Sequence, residues 1–276
     1  MPTTPPTTAS PRLDADQVAA FNRDGYALIK EPILEPATFD RLRADFERML
    51  TEWVADPRSA SPEHMDTPHF LHPSLLEYAF DDRILDLVEP ILGPDLALFS
   101  SHFICKPPAV GKRVPWHEDS AYWKGRLDPM HVVTVWLAID PSTPDNGCMQ
   151  VIPGTHVNGY SDYEDVKDTA VFGSEIRRGS FKLDDAVDCV LAPNEASLHD
   201  ARTIHGSAAN TGTMRRCGWT LRFISAATKF NAADAHDGFQ IYLARGKDRA
   251  GNTYGDPTTV NQAYIDAHPD GFPQGH

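Results

Sequence analysis

The sequence predicts a mainly β chain, a barrel or double-sheet roll buttressed by helices near its N-terminus. Two features of the pattern lead there. Up to Pro90 the apolar residues recur at helical spacing. From Leu96 the period changes to two, with Gly, Pro, Asn and Asp between the apolar runs. Size supplies a third: 276 residues, 41% hydrophobic and 23% charged, suit one well-cored soluble unit.

Taken in order, residues 1–12 are rich in Pro and Thr and are expected to be a disordered tail. Asp14 or Asp16 caps a short helix carrying Val18 and Phe21, which ends at Asp24-Gly25, and Tyr26–Ile29 reads as a strand. Between Pro36 and Trp53, the spacing of Phe39, Leu42, Phe46 and Leu50 predicts an amphipathic helix. A loop rich in Pro, Ser and His is expected over Asp56–Leu71. Arg83–Glu89 follows as a shorter helix, with Ile84, Leu87 and Val88 on one side and Pro90 to stop it. The strand candidates are Leu96–Cys105, Val132–Ile139, Met149–Ile152, Val187–Leu191, Ala196–Leu198 and Gly218–Ile224. The polar stretch from Thr228 to His276 is expected as a lid or surface tail of the single domain over residues 13–276, and no internal repeat is visible.

Composition narrows the partners. A net charge of −14 disfavours nucleic acid and anionic membranes. The apolar runs fall short of the roughly 18 residues a spanning helix needs, and the N-terminus lacks a basic region followed by an apolar run. Cys105, Cys148, Cys189 and Cys217 are scattered without metal-type spacing and read as free thiols, so a cytoplasmic protein is expected.

The chemistry concentrates in Val114-Pro-Trp-His-Glu-Asp-Ser120, His205 and Arg216. On an extended strand His117 and Asp119 leave the same face. With one distant histidine they make two neutral nitrogens and a carboxylate, the facial triad that holds a metal and leaves positions open. Such pairs also arise by chance, and the chain has three: His64-Met-Asp66 falls in the Pro-flanked loop and His268-Pro-Asp270 in the tail, whereas His117-Glu-Asp119 is flanked by Trp116, Tyr122 and Trp123. A turn at Asn210-Thr-Gly212 would return the chain so that Arg216, eleven residues after His205, comes back beside it. There its planar fork suits a carboxylate. Alternation puts Arg215 on the opposite face. Arg222 shares the face of Arg216 but lies six residues on, about 20 Å along an extended strand. His156 and His199 are the alternative distal ligands.

At these residues the chain resembles the phytanoyl-CoA dioxygenase family of iron(II)/2-oxoglutarate oxygenases, which includes ectoine hydroxylase. The carrying segments are Phe21-Asn-Arg-Asp-Gly-Tyr26, Lys106-Pro-Pro108, Trp116-His-Glu-Asp119, Trp136-Leu-Ala-Ile-Asp140, Asn146-Gly-Cys148, Pro153-Gly-Thr-His156, His205-Gly-Ser207 and Arg216, in the family's order over about residues 13–225. The resemblance implies a double-stranded β-helix core, jelly-roll or cupin-like, with iron near one mouth. It implies His117, Asp119 and His205 as the catalytic metal ligands. Arg216 would meet the C5 carboxylate of 2-oxoglutarate, with Ser207 and Lys106 as further co-substrate contacts. Glu118 stands where many members have Gln.

The expected cofactors are Fe(II), 2-oxoglutarate and O2, and the expected reaction is hydroxylation of a small molecule with release of succinate and CO2. Two imidazoles and one carboxylate leave room for six-coordination, which favours iron over four-coordinate zinc. An intact Asp119 favours hydroxylation over halogenation. Lys106, Lys112, Arg113, Lys124, Arg126 and Arg202 lie near the metal residues in sequence and are candidates to steer an anionic substrate. The competing readings are a non-enzymatic metal-binding β-barrel and an oxygenase of the same fold acting on an acyl-CoA thioester.

Overall fold

A computed structural model of the chain describes residues 11–59 and 64–272. Helix α1 (Ala15–Asp24) starts in a capping box, in which Asp14 accepts from Gln17 N and the Gln17 side chain accepts from Asp14 N. It stops at Gly25 (φ +78°), where a Cβ would collide with His156 and Thr203. Strand β1 (Tyr26–Ile29) leads to α2 (Pro36–Ala55), which buries Phe39, Leu42, Phe46, Met49 and Trp53. Then come β2 (His64–Asp66), α3 (Pro68–Leu71), α4 (Leu75–Ala79) and α5 (Asp82–Leu92). The β-rich part begins with β3 (Leu96–Lys106), β4 (Val114–His117), β5 (Leu127–Asp128), β6 (Val132–Ala138) and β7 (Met149–Val151). It continues with β8 (Tyr163–Asp165), β9 (Ser174–Ile176), β10 (Val187–Asp188), β11 (Ala196–Asp200) and β12 (His205–Ser207). The chain closes with β13 (Arg216–Ser225), β14 (Lys229–Phe230), β15 (Tyr242–Arg245) and α6 (Gln262–Ala267).

Two antiparallel sheets face each other. The larger has the order β1-β11-β6-β13-β3-β15 with β2 beside β3, and the smaller runs β10-β7-β12-β4. Along β13, Cys217, Trp219, Leu221 and Phe223 point outward into the core formed with α2 to α5. The alternate residues Arg216, Thr220 and Arg222 therefore face the inside of the roll. Trp219 stacks on Phe103 at 5.2 Å with neither ring exposed, a contact whose truncation costs about 3–5 kcal/mol. On the inner side Trp136 of β6 packs against Met149 and Val151 of β7, joining the two sheets. A register shift at Phe99, opposite Arg222/Phe223, reverses the alternation of β3. It turns Ser100 and His102 inward while Leu96 and Leu98 stay in the helix-side core.

The structure departs from the sequence reading in several places. Helix α5 runs through Pro90 to Leu92, because the proline falls in the last turn and Leu92 is anchored in the core. The expected loop Asp56–Leu71 contains β2 and α3, and residues 60–63 within it lie outside the described ones. Part of the segment from Thr228 is built into the fold. Strand β15 extends the larger sheet beside β3, and Tyr264 and Phe272 enter the core, Phe272 stacking on Trp53 at 5.8 Å. Of the expected N-terminal tail, residues 1–10 lie outside the described ones, whereas Pro11 is buried and Arg12 donates to Glu89. The strand expected over Val187–Leu191 shortens to β10 and a single bridge at Leu191.

Candidate metal centre

Strands β4 and β12 are neighbours in the smaller sheet, and their register sets His205 directly opposite His117, with ring centroids 4.1 Å apart. Strand β4 ends at His117, and Asp119 opens a single 3-10 turn, which brings its carboxylate back between the two rings. Asp119 Oδ1 lies 3.7 Å from His117 Nε2 and 4.0 Å from His205 Nε2. Among the described residues these three form a group able to hold a metal ion, with ligand atoms all within 4.8 Å of one another.

The surroundings prepare the imidazoles as ligands. His117 donates from Nδ1 to Pro115 O (2.7 Å) and His205 from Nδ1 to Thr203 O (2.9 Å). Each bond fixes the tautomer and leaves the Nε2 lone pair aimed at the shared point. Burial holds both imidazoles below their ordinary pKa, so both are neutral donors at neutral pH. Two neutral nitrogens and one carboxylate on one side of a cavity suit a divalent ion that keeps open positions.

That cavity is also lined by Ser207, Arg216, Thr220 and Arg222. Arg216 is 2% exposed, yet its hydrogen bond goes to a carbonyl, Gly147 O at 3.1 Å, and none of the described carboxylates pairs with it. Its guanidinium lies over the Trp136 ring at 5.1 Å, and burial pushes its pKa down to about 10. The Trp136 ring crosses above Gly218, where a Cβ would stand 2.0 Å from a ring atom, so a side chain at that position would expel the ring. Lys106 is directly opposite Arg216 in the β3–β13 ladder and donates to Ser207 Oγ at 2.7 Å and to Ala208 O. Lys106, Ser207 and Arg216 are thus brought together beside His205.

Of the alternative ligands, His156 is remote from the cavity, its ring bonded to Asn22 O. His199 does line the cavity. Its Nε2 is 3.8 Å from the other carboxylate oxygen of Asp119, and its ring is 4.6 Å from that of His205. Glu118, between the two neighbouring ligands, turns away from them and accepts from Ser161 N at 2.7 Å. The candidate cations disperse. Arg113 pairs with Asp168 and Glu175, and Lys124 lies over the Tyr160 ring at 4.5 Å. Arg126 lines a second cavity with Ser100, His102, Trp123 and His236, while Arg202 sits in the turn between β11 and β12.

Arg222 is the residue that sequence reasoning did not bring to the site. It shares the inner face with Arg216, as alternation predicts, but it is not remote from the site. Its Nε donates to Asp119 Oδ2 at 3.3 Å and its guanidinium lies 5.0 Å from the Trp123 ring centre. The turn at Asp119 reaches across to Arg222, so the site extends along β13 from Arg216 to Arg222. The second pair, His64 and Asp66, is on a strand too. His64 Nε2 meets His102 Nδ1 at 3.0 Å, and His102 Nε2 donates to Asp66 Oδ1 at 2.8 Å. Phe172 lines the cavity beside His117, ring centroids 5.2 Å apart.

A family model for phytanoyl-CoA dioxygenase (PhyH) matches residues 21–218, a span that contains all three triad residues and Arg216. The chain belongs to the phytanoyl-CoA dioxygenase family. Among relatives, a protein of Stutzerimonas stutzeri described as "Probable alpha-ketoglutarate-dependent hypophosphite dioxygenase" is 30% identical over 158 residues, 55% of this chain and 53% of the relative. The ectoine dioxygenase of Sphingopyxis alaskensis is 25% identical over 209 residues, covering 72% of this chain and 65% of that protein. The chain thus spans only about half to two thirds of the length of these relatives. Among solved structures, the apo form of the non-heme monooxygenase ThoJ superposes with a TM-score of 0.75 at 24% identity, over 91% of this chain and 93% of that one. The iron-bound EctD of S. alaskensis gives a TM-score of 0.64 at 22% identity, over 82% and 81%. For this member of the family the double-sheet roll is the cupin-like, double-stranded β-helix fold of those oxygenases.

Proposed function

We propose that this chain is an Fe(II)- and 2-oxoglutarate-dependent dioxygenase that hydroxylates a small, anionic substrate. The observation that carries the reading is Arg216, a buried cation with no carboxylate partner among the described residues, in the same cavity as the His117–Asp119–His205 triad. An uncompensated buried charge costs several kcal/mol, so the arrangement suits a carboxylate-bearing guest. When bound, iron with 2-oxoglutarate and dioxygen supplies an oxidant that hydroxylates a C–H bond, with release of succinate and CO2.

The chain's own residues do the rest. His117 and His205 present neutral nitrogens through tautomers fixed by backbone carbonyls, and Asp119 adds the balancing charge. Arg216 takes the far carboxylate of 2-oxoglutarate, with Lys106 and Ser207 at its side. Phe172 and Trp136 supply apolar walls to the cavity. A metal-binding barrel without catalysis has no use for Arg216. The relative named for hypophosphite, itself a small oxyanion, agrees with an anionic substrate.

The test is anaerobic titration of the iron(II) protein with 2-oxoglutarate, followed by succinate measurement in air against a panel of small acids, amino acids and CoA thioesters. A visible charge-transfer band and stimulated succinate release are expected. A colourless complex with no succinate would leave the metal-binding barrel.

A further inference from the structure

The larger sheet carries, across four adjacent strands, a register-aligned row of inward polar residues that the metal site does not need. Ser100 of β3 is opposite Arg222 of β13, Arg222 is opposite Thr134 of β6, and Thr134 is opposite His199 of β11. All four are between 0 and 3% exposed. Ser100 Oγ, Thr134 Oγ1 and both ring nitrogens of His199 make no hydrogen bond within the protein. Buried polar atoms are normally satisfied, and a row of them at the one place where the inner face meets Asp119 marks a surface built for a polar guest.

Charge says which kind. Of the formally charged residues lining the cavity, Asp119 is negative and Arg216 and Arg222 are positive. Iron(II) and the 2-oxoglutarate dianion cancel each other, and Lys106 adds a positive charge beside Arg216, so the loaded site keeps an excess of positive charge for a third component. Arg222 fixes its position. Its Nε is committed to Asp119 and its plane lies against Trp123, so the guanidinium is held at the boundary between the metal cavity and the one that Ser100 lines. Hydroxyls on both sides of a cation make a receptor for an oxyanion, with the cation supplying charge and the hydroxyls supplying donors.

We infer that Ser100, Arg222, Thr134 and His199 form the floor on which the substrate's oxyanion group rests, so that the substrate is a small anion bearing a carboxylate or a phosphorus oxyanion. This rests on the dioxygenase reading for what happens to the substrate, but the anion site can be measured by itself.

The experiment is calorimetry, with Trp fluorescence as a second readout because Trp123 lies against Arg222. It uses the full chain loaded anaerobically with Fe(II) and 2-oxoglutarate and titrated with sodium acetate, sodium hypophosphite or neutral acetamide. One or both anions should bind and acetamide should not; which anion binds tells carboxylate from phosphorus oxyanion. Ser100→Ala and Thr134→Val should each weaken anion binding about ten-fold, the size of one hydrogen bond to a charged group. Arg222→Met should abolish it. Equal binding of acetamide, no anion binding to wild type, or wild-type affinity in both hydroxyl variants would overturn the inference. Anion binding that depends on both hydroxyls, without any 2-oxoglutarate band, would sink the dioxygenase reading and leave the oxyanion floor standing.

Discussion

His117-Glu-Asp119 and His64-Met-Asp66 share one three-residue pattern, and both are buried inside the same roll, yet their atoms face different company. In the first pair the Nδ1 of His117 is tied to a backbone carbonyl, and Nε2 shares a common point with Asp119 and His205. In the second pair His102 stands between the partners, using one ring nitrogen for His64 and the other for Asp66, so no single point is shared by three donors. The neighbouring arginines repeat the contrast. Arg215, on the helix face, is held by Asp140 and Glu47, whereas Arg216, on the inner face, has no carboxylate among the described residues. A residue type becomes a functional candidate when the fold leaves its chemistry unspent.

The sharpest way to break this comparison is to mutate both pairs. His205→Ala or Asp119→Ala should abolish stoichiometric iron binding and turnover, because the remaining donors are too few. His64→Gln and Asp66→Asn should still bind one iron per chain when reconstituted anaerobically and assayed for metal. Loss of iron in Asp66→Asn with the triad intact would mean that the second pair belongs to the metal site.

The arginines come next. Removing one member of a buried ion pair costs roughly 3–5 kcal/mol. Arg216→Ala should therefore raise the 2-oxoglutarate requirement about a hundred-fold or more while iron affinity changes little, and Lys should rescue only in part. Arg215→Ala should leave the 2-oxoglutarate requirement unchanged and act on stability instead, at a cost of about 1–3 kcal/mol, since its Glu47 pair is half-exposed but the Asp140 carboxylate it leaves behind is buried. A large co-substrate defect in Arg215→Ala would reverse the assignment of faces on β13.

The smallest expected effect is on acid stability of the metal-free protein. Burial lowers His64 to about 3, so its contribution is present above about 6.5, the ordinary imidazole value, and is lost as the pH falls toward 3. Burial raises Asp66 to about 6, so its protonation opposes that loss, favouring the fold as the pH falls from about 6 toward 3.8. Denaturant titrations between pH 6 and pH 4 should show a steeper loss in Asp66→Asn and a shallower one in His64→Gln, each by up to about 1.4 kcal/mol per pH unit. Parallel slopes in all three proteins would mean that the second pair is not a proton-linked unit.

The strongly periodic segments could be read without coordinates: α2 and β3 fall within a residue or two of their expected limits, because one face of each meets a continuous core. The pairing of His117 with Asp119 on one face could be read from spacing, whereas His205 entered through the resemblance, with His156 and His199 left as alternatives. His64 and Asp66 could not be read in this way, because nothing local distinguishes a polar loop from a short strand stitched onto β3 by non-local hydrogen bonds.

What the sequence determines by itself is alternation, and with it which side chains share a face: Arg216, Thr220 and Arg222 on one side of β13, Cys217, Trp219 and Leu221 on the other. That follows from the two-residue period of an extended backbone. Only the tertiary structure decides what each face meets. Arg222 is six residues from Arg216 along the strand but 3.3 Å from the Asp119 carboxylate, because the 3-10 turn after β4 carries that carboxylate across the roll. Distance along a strand is set by covalent geometry. Distance across the roll is set by sheet pairing between segments remote in sequence, which no local spacing records.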